Sequence, residues 1–181
     1  QWEPDQEILP RADFHGDKVT VRNIRNCSYL TEFTYTLDYY DETYDLGDLQ
    51  SVDFIVVPFA ETAALAHTML SFGFAGDRYL AVSVEIRREE GEQYSPLKGL
   101  LNQYELMYVV ADERDLILLR TIHRLVDVHI YRAKATPEQA RSLFVDVMRR
   151  VNKLHGEPEF YNTITNNCTT NIVEHINRLA P

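Results

Sequence analysis

The sequence predicts an α+β domain in which an antiparallel sheet packs on one side against C-terminal helices. Segments that alternate apolar and polar residues, the pattern of half-buried strands, dominate the chain up to residue 131. The strongest helix patterns follow only after residue 135. Strands first and helices last is an order typical of α+β domains. The length of 181 residues and the hydrophobic content of 45% suit one domain with a real core.

The N-terminal part of the chain is expected to begin the sheet. Residues 1–18 are polar and contain proline, so they are predicted to form a loose lead-in to a single domain over residues 19–181. Val19–Ile24 alternates like a strand, and residues 31–40 are rich in β-forming residue types. Residues 41–50 are acidic, which predicts a turn region.

The remaining strands are predicted in the middle of the chain, over residues 52–58, 64–74, 79–88, 104–110 and 126–131. The alternation is clearest in 79–88, where one face is apolar and the other carries Ser83 and Glu85. Between the last two strands, residues 112–124 have helix-like spacing.

Two helices are predicted at the C-terminal end. Thr136 and Gln139 form a capping box around Pro137 at the first helical position, and Gly156 ends the first helix. The second helix begins near Cys168. Its apolar residues fall on one stripe, which is expected to pack inward and consists of Ile172, Val173, Ile176 and Leu179.

The composition excludes several classes of function. A net charge of −10 and a pI near 5.0 argue against nucleic-acid partners, because phosphates would repel this surface. No apolar run is long enough to predict a transmembrane segment. The chain begins at Gln1 without a signal peptide, so we expect targeting or anchoring segments to lie outside it. We expect no cofactor and no metal, because phosphate-binding loops and zinc motifs are absent.

Cys168 is the best candidate for a nucleophile. A thiol in the first turn of a helix faces unpaired backbone N–H groups and the positive end of the helix dipole, and both favour the reactive thiolate. The polar residues just before it, Asn167 among them, are N-cap types that support this placement. The alternatives are a buried, inert thiol or a disulfide with Cys27.

A thiol nucleophile needs a base and a group that orients the base. His67 is the best base candidate, because it stands alone in an apolar strand segment. If the next strand pairs with it, Ser83 or Glu85 lies within reach of its second ring nitrogen. An ordinary hydrogen-bonded core histidine and a surface ion pair for Glu85 are the simpler interpretations. His175 is about 10 Å from Cys168 along the helix, too far to contact the thiol.

Several short motifs, taken together and in this order, resemble a known bacterial family. They are Val21–Asn26, Tyr39–Leu46, Ala66–Phe74, Val82–Arg87, Tyr104–Leu106, Asp112–Asp115, Phe160–Thr163 and Asn166–Thr170. The pattern is similar to the Lnb-type N-terminal periplasmic domain and runs from about Val19 to Leu179.

The resemblance implies a circularly permuted papain-like (NlpC/P60-like) thiol enzyme, in which the histidine strand precedes the cysteine helix. It assigns the nucleophile to Cys168, the base to His67 and the orienting position to Glu85. It also implies the periplasm or bacterial cell envelope, and the acyl chemistry of a lipoprotein N-acyltransferase, with a lipid or a lipoprotein as acyl donor.

Two other functions stay open at this point. A cell-wall peptidase or amidase uses the same Cys–His chemistry on peptide, and fold analogy does not separate it from an acyltransferase or hydrolase. A non-catalytic envelope binding module also fits, because the predicted strands are rich in tyrosine and the surface is acidic.

Overall fold

The computed structural model describes residues 1–59 and 62–178. Eleven strands are present in this part of the chain. They are β1 Arg11–His15, β2 Lys18–Arg25, β3 Ser28–Thr31, β4 Thr34–Thr36, β5 Tyr39–Asp45, β6 Leu49–Phe59, β7 Thr62–Phe74, β8 Arg78–Arg87, β9 Tyr104–Asp112, β10 His129–Arg132 and β11 Phe160–Tyr161. The α-helices are α1 Pro96–Leu100, α2 Glu113–Leu118, α3 Pro137–Gly156 and α4 Cys168–Asn177, and a π-helical turn over Leu119–His123 follows α2.

Nine strands form one mixed sheet whose main path runs β1-β2-β9-β8-β7-β6-β10. β5 lies beside β2 and β11 beside β9, while β3 and β4 form a separate hairpin. The predicted antiparallel sheet is right for every pair but one, because β2 meets β9 in parallel through Arg25 and Ala111. The chain between β2 and β9, which includes β3 to β8, is the long connection that two neighbouring parallel strands require.

The C-terminal helices pack on one face of the sheet, as predicted. Phe144 of α3 is fully buried there and makes edge-to-face contacts with Phe72 and Phe74, with ring centroids 5.1 and 5.4 Å apart. Ile172 of α4 and Tyr44 of β5 belong to the same core. Because aromatic side chains bury large areas, this cluster fixes α3 across the middle of the sheet.

The opposite face of the sheet is also covered. A second core there contains Met69, Ala81 and Met107, and Leu116 of α2 packs onto it. The face of β8 that the sequence presents as polar is therefore enclosed, and Ser83 on it is fully buried. A buried polar residue needs hydrogen-bond partners, and Ser83 has them in His67 and Glu85.

Two predictions for the N-terminal part are wrong. The segment expected to be a loose lead-in contains β1, an edge strand paired with β2 from Arg11 to His15. The predicted acidic turn contains most of β5. The residues of this strand alternate, and the Tyr44 ring lies in the core with its centroid 4.5 Å from that of Phe74. The acidic residues favour a turn in the sequence interpretation, although this segment alternates as a strand does.

The helix predictions are confirmed in their positions and partly in their faces. The capping box at Thr136 and Gln139 opens α3, and α4 begins at Cys168. The predicted inward stripe of α4 is right for Ile172, which is buried, and wrong for Val173 and Ile176, which are exposed while Asn171 and His175 are buried. Leu179, the last residue of that stripe, lies outside the described residues.

A buried ion pair ties α2 to β2. Asp115 is fully buried and accepts hydrogen bonds from the Arg25 guanidinium at 2.9 and 3.1 Å, from the Cys27 N–H at 2.7 Å and from the Tyr29 hydroxyl at 3.2 Å. Arg25 also reaches Asp5 at 3.1 Å. This cluster orders the N-terminal segment and the start of the helix that covers the second core.

Asp115→Asn should lower the free energy of unfolding by about 3 kcal/mol, because it removes the buried charge partner of Arg25 and leaves only the more exposed Asp5. Urea unfolding followed by circular dichroism measures the loss. Asp127→Asn, which changes an exposed aspartate, is the matched control and should change stability little. Equal stabilities for the two variants would contradict this role of the pair.

Candidate active site

Three elements bring the predicted site residues together. His67 lies on β7, Ser83 and Glu85 lie on β8, and Cys168 opens α4. The antiparallel ladder ends at the pair Met69 and Ser83, and His67 and Glu85 each lie two residues beyond this pair on their own strand. The ladder register therefore places the side chains of His67, Ser83 and Glu85 on one face.

Asn167 fixes the start of α4. Its side chain accepts a hydrogen bond from the Thr170 N–H at 2.9 Å, and the Thr170 hydroxyl accepts one from the Asn167 N–H at 2.8 Å. The Asn167 amide also donates to the Thr163 carbonyl at 2.8 Å. This double cap holds Cys168 at the first helical residue, as the sequence predicts.

The hydrogen bonds around His67 determine which ring nitrogen is protonated. The Ser83 hydroxyl lies 2.5 Å from Oε1 of Glu85 and 2.7 Å from Nε2 of His67. Because a carboxylate only accepts, the one Ser83 hydrogen points to Glu85, and the hydroxyl oxygen accepts from Nε2–H. Nδ1 of His67 is thus left for the Cys168 thiol. Ser83 and Glu85, alternatives in the sequence, act together on the ring.

The electrostatics of the pair favour an ionised thiol. Burial opposes ionisation of Cys168, but its hydrogen bond with His67 and the imidazolium charge outweigh burial and lower the thiol pKa to about 7. Burial likewise opposes the charged form of His67, but the Glu85 carboxylate and the Cys168 hydrogen bond raise its pKa to about 9. The ion pair, thiolate and imidazolium, is the expected form at neutral pH.

Glu85 is held as a carboxylate. Burial raises the pKa of Glu85, but the His67 charge and hydrogen bond, followed by Arg120 and Ser83, bring it well below its ordinary range. Its Oε1 lies 3.2 Å from Nε2 of His67 and 3.0 Å from Nη2 of Arg120. One carboxylate oxygen therefore meets the hydroxyl, the imidazole and the guanidinium together.

The sequence interpretation missed Arg120, Thr68 and Tyr161. Arg120 is buried, and its only sequence signal is a lone cation in the apolar run Leu116–Ile122. The Thr68 backbone N–H is among the groups that lower the pKa of the Cys168 thiol and so favour the thiolate. Tyr161, like Cys168, packs against the helix-side core. The last two lie within motifs that the sequence already singles out.

His175 is outside the site, as expected, and has a structural role. Its Nδ1 lies 2.6 Å from Oδ2 of Asp146, and its Nε2 lies 2.9 Å from the Tyr108 hydroxyl. The same hydroxyl donates to Asn171 at 3.1 Å. This network explains why a histidine and an asparagine join Ile172 on the buried face of α4.

The two cysteines differ in environment, and both are free thiols. Cys27 is fully buried, and burial, followed by the nearby Asp115 charge, raises the pKa of its thiol to about 12. A buried thiol that resists ionisation is suited to packing rather than to chemistry. The thiol of Cys168 is the one set up for chemistry.

Within residues 1–59 and 62–178, no group of three or more His, Cys, Asp or Glu side chains is arranged to hold a metal ion. Over the same ranges, no helix has the length and apolar character needed to cross a membrane.

A family model described as the Lnb N-terminal periplasmic domain matches residues 35–181. The chain belongs to this family. The resemblance predicted from the sequence motifs is thereby confirmed, and a periplasmic or envelope location is consistent with it. Neither the curated proteins nor the solved structures contain a match to the chain.

Iodoacetamide should label Cys168 with a pH midpoint near the thiol pKa of about 7. In His67→Ala the midpoint should rise, and labelling at pH 7 should slow roughly tenfold or more, because burial then acts on the thiol without its cation. Mass spectrometry of labelled peptides gives both rates. Cys168→Ser reports background labelling of Cys27. An unchanged midpoint in His67→Ala would contradict the pair.

Proposed function

We propose that this domain is a thiol-dependent acyltransferase of the bacterial envelope, acting through a covalent acyl-enzyme in the manner of a lipoprotein N-acyltransferase. The observation that carries the proposal is the pairing of Cys168, at the start of α4, with a histidine held by Ser83 and Glu85. Buried, perturbed titratable groups of this kind concentrate at catalytic sites.

We assign the arrangement to the circularly permuted papain-like group. The support is the chain order, in which the strand bearing His67 precedes the helix bearing Cys168, and the packing of that helix on the sheet. The orienting carboxylate on the neighbouring strand fits the same assignment.

In the proposed reaction, the Cys168 thiolate attacks an ester carbonyl and forms a carbon–sulfur bond. The carbon–oxygen bond breaks, and the leaving alkoxide takes the proton that His67 carries. An amine then attacks the thioester, and neutral His67 removes a proton from it. The carbon–sulfur bond breaks, and the amide and the Cys168–His67 ion pair result. Attack by water in place of the amine makes the enzyme a hydrolase.

The start of α4 is suited to bind the oxyanion. The N–H groups of Cys168 and Thr169 belong to the first turn, where no carbonyl of the preceding turn is available to them. They form the positive end of the helix dipole, at the residue that bears the sulfur. A carbonyl oxygen attacked by the thiolate would develop its charge at these donors.

An exposed apolar surface next to the site favours an acyl substrate over cell-wall peptide. It consists of Tyr94, Leu97, Leu100, Leu101, Phe160 and Ile164, which are 42–68% exposed. α1 and the 160–167 loop that ends at Cys168 pack together, with the Thr163 N–H donating to the Gly99 carbonyl at 3.3 Å. A Cβ on Gly99 would lie 2.4 Å from the Thr163 hydroxyl, so glycine allows this contact. Exposed apolar surface of this kind favours apolar partners.

A binding module is less well supported than an enzyme. Such a module has no use for a partly buried thiol beside an imidazole whose carboxylate partner contacts a buried guanidinium, because withdrawing charges from water costs free energy. A Cys27–Cys168 disulfide, the alternative to a reactive thiol, is not formed, and both cysteines are free.

An acyl-enzyme should accumulate when the protein meets an ester donor without an amine. We expect a mass increase equal to one acyl group on Cys168, discharged by adding an amine such as a diacylglyceryl-cysteine peptide. Intact-protein mass spectrometry measures both steps. Cys168→Ser should abolish acylation, while Cys27→Ser is the matched control. Acylation that survives Cys168→Ser would contradict the proposal.

Leu97→Ser and Phe160→Ser should weaken use of long acyl donors. Each removes apolar contact beside the site, so KM for a long-chain ester should rise roughly fivefold to thirtyfold, on the order of 1–2 kcal/mol. Turnover of an acetyl ester should stay unchanged. Leu30→Ser and Phe33→Ser, in the still more exposed β3–β4 hairpin, are matched controls. Equal effects on both chain lengths would contradict an acyl-binding surface.

A further inference from the structure

Arg120 lies behind the orienting carboxylate, in a part of the chain remote from the site in sequence. The π-helical turn Leu119–His123 carries it, and π-helical segments are frequent at functional sites. Its side chain is only 5% exposed. Nη2 donates to Oε1 of Glu85 at 3.0 Å, and Nη1 donates to the Leu116 carbonyl at 3.0 Å. The second bond fixes the guanidinium plane while the first engages Glu85.

The charges around the thiol balance only when Arg120 is counted. Thiolate and carboxylate contribute two negative charges, and the imidazolium alone contributes one positive charge. The guanidinium supplies the fourth charge and stays protonated at any pH that the protein meets. Charged groups facing this cluster come from several elements: Glu85 on β8, His67 on β7, Cys168 on α4, Arg25 on β2 and Arg124 near the π turn.

The same contact keeps the hydrogen-bond direction that defines the His67 tautomer. Because Glu85 is engaged as a carboxylate, it accepts from Ser83, and Ser83 in turn accepts from Nε2–H of His67. A protonated Glu85 could donate to Ser83, and the Ser83 hydrogen would then compete for Nε2. Arg120 thus acts on the thiol through the intervening side chains of Glu85, Ser83 and His67.

We propose that Arg120 is a positioning residue of the Cys168–His67 pair, whose buried guanidinium holds Glu85 charged and directed at His67. This inference rests on the proposed function, because it concerns the same thiol. Arg120 contacts neither the sulfur nor the site of the acyl group, so its effect reaches the reaction only through Glu85 and the local field.

The test is the pH profile of Cys168 alkylation by iodoacetamide in Arg120→Gln and Arg120→Lys. Loss of a positive charge makes each neighbouring proton harder to lose, so the Arg120→Gln profile should move to higher pH. Below the wild-type midpoint, labelling should slow roughly threefold to tenfold. Arg120→Lys keeps the charge and should retain the wild-type midpoint. Arg124→Gln, an exposed cation near the same turn, is the matched control.

Each outcome decides the proposal. A shifted midpoint in Arg120→Gln, with wild-type midpoints in Arg120→Lys and Arg124→Gln, supports it. An unshifted midpoint in Arg120→Gln overturns it. Loss of folding in Arg120→Gln, measured by circular dichroism, also overturns it, because the ion pair would then act through stability. Equal shifts in Arg120→Gln and Arg124→Gln overturn it too, since any nearby cation would suffice.

Failure of this inference can be told apart from failure of the proposed function. If wild-type Cys168 labels slowly and without a low midpoint, the Cys–His pair and the acyltransferase proposal fail together. If the wild type shows the low midpoint and forms an acyl-enzyme while Arg120→Gln does the same, only the role of Arg120 fails.

Discussion

The partners of the Glu85 carboxylate are the constraint on which the site depends. Its side chain is 28% exposed and lies between the fully buried Ser83 and the buried Arg120, and a charge withdrawn this far from water needs partners. The fold supplies three through one oxygen, from Ser83, His67 and Arg120. Satisfying the carboxylate orients the imidazole, and the oriented imidazole ionises Cys168. The reactive thiol is therefore a consequence of how one acidic residue is held.

Local patterns predict the site better than they predict the surrounding fold. Alternation in β8 places Ser83 and Glu85 on one face, and helix capping places Cys168 at a helix start. Both patterns act within a few residues, so sequence contains them. Arg120 joins the site from 35 positions away, through a turn whose π geometry has no simple sequence period. Tertiary packing decides such contacts, and single-sequence patterns do not encode it.

The errors in the fold prediction have one physical origin. Polar and acidic residues suggest exposure, but in this domain some polar residues are buried in networks and some apolar ones are exposed. In α4, Asn171 and His175 turn inward because Tyr108 and Asp146 satisfy them, and Val173 is left on the surface. These inward polar residues, together with the buried Ile172, anchor the helix whose first residue is the thiol, so hydrogen bonding and apolar packing fix the position of Cys168 together.

The Cys168–His67 pair moves one proton within the fold without changing the number of protons bound. Stabilisation from His67, whose pKa rises from 6.5 to about 9, is present below pH 6.5 and is lost as pH rises through about 9. Stabilisation from Cys168, whose pKa falls from 9.0 to about 7, is present above pH 9.0 and is lost as pH falls through about 7. Between these limits the folded and unfolded chains each hold one proton on the two groups, so the slopes cancel. The pair is therefore reactive at neutral pH, and between about pH 7 and 9 these two groups leave the stability of the domain independent of pH.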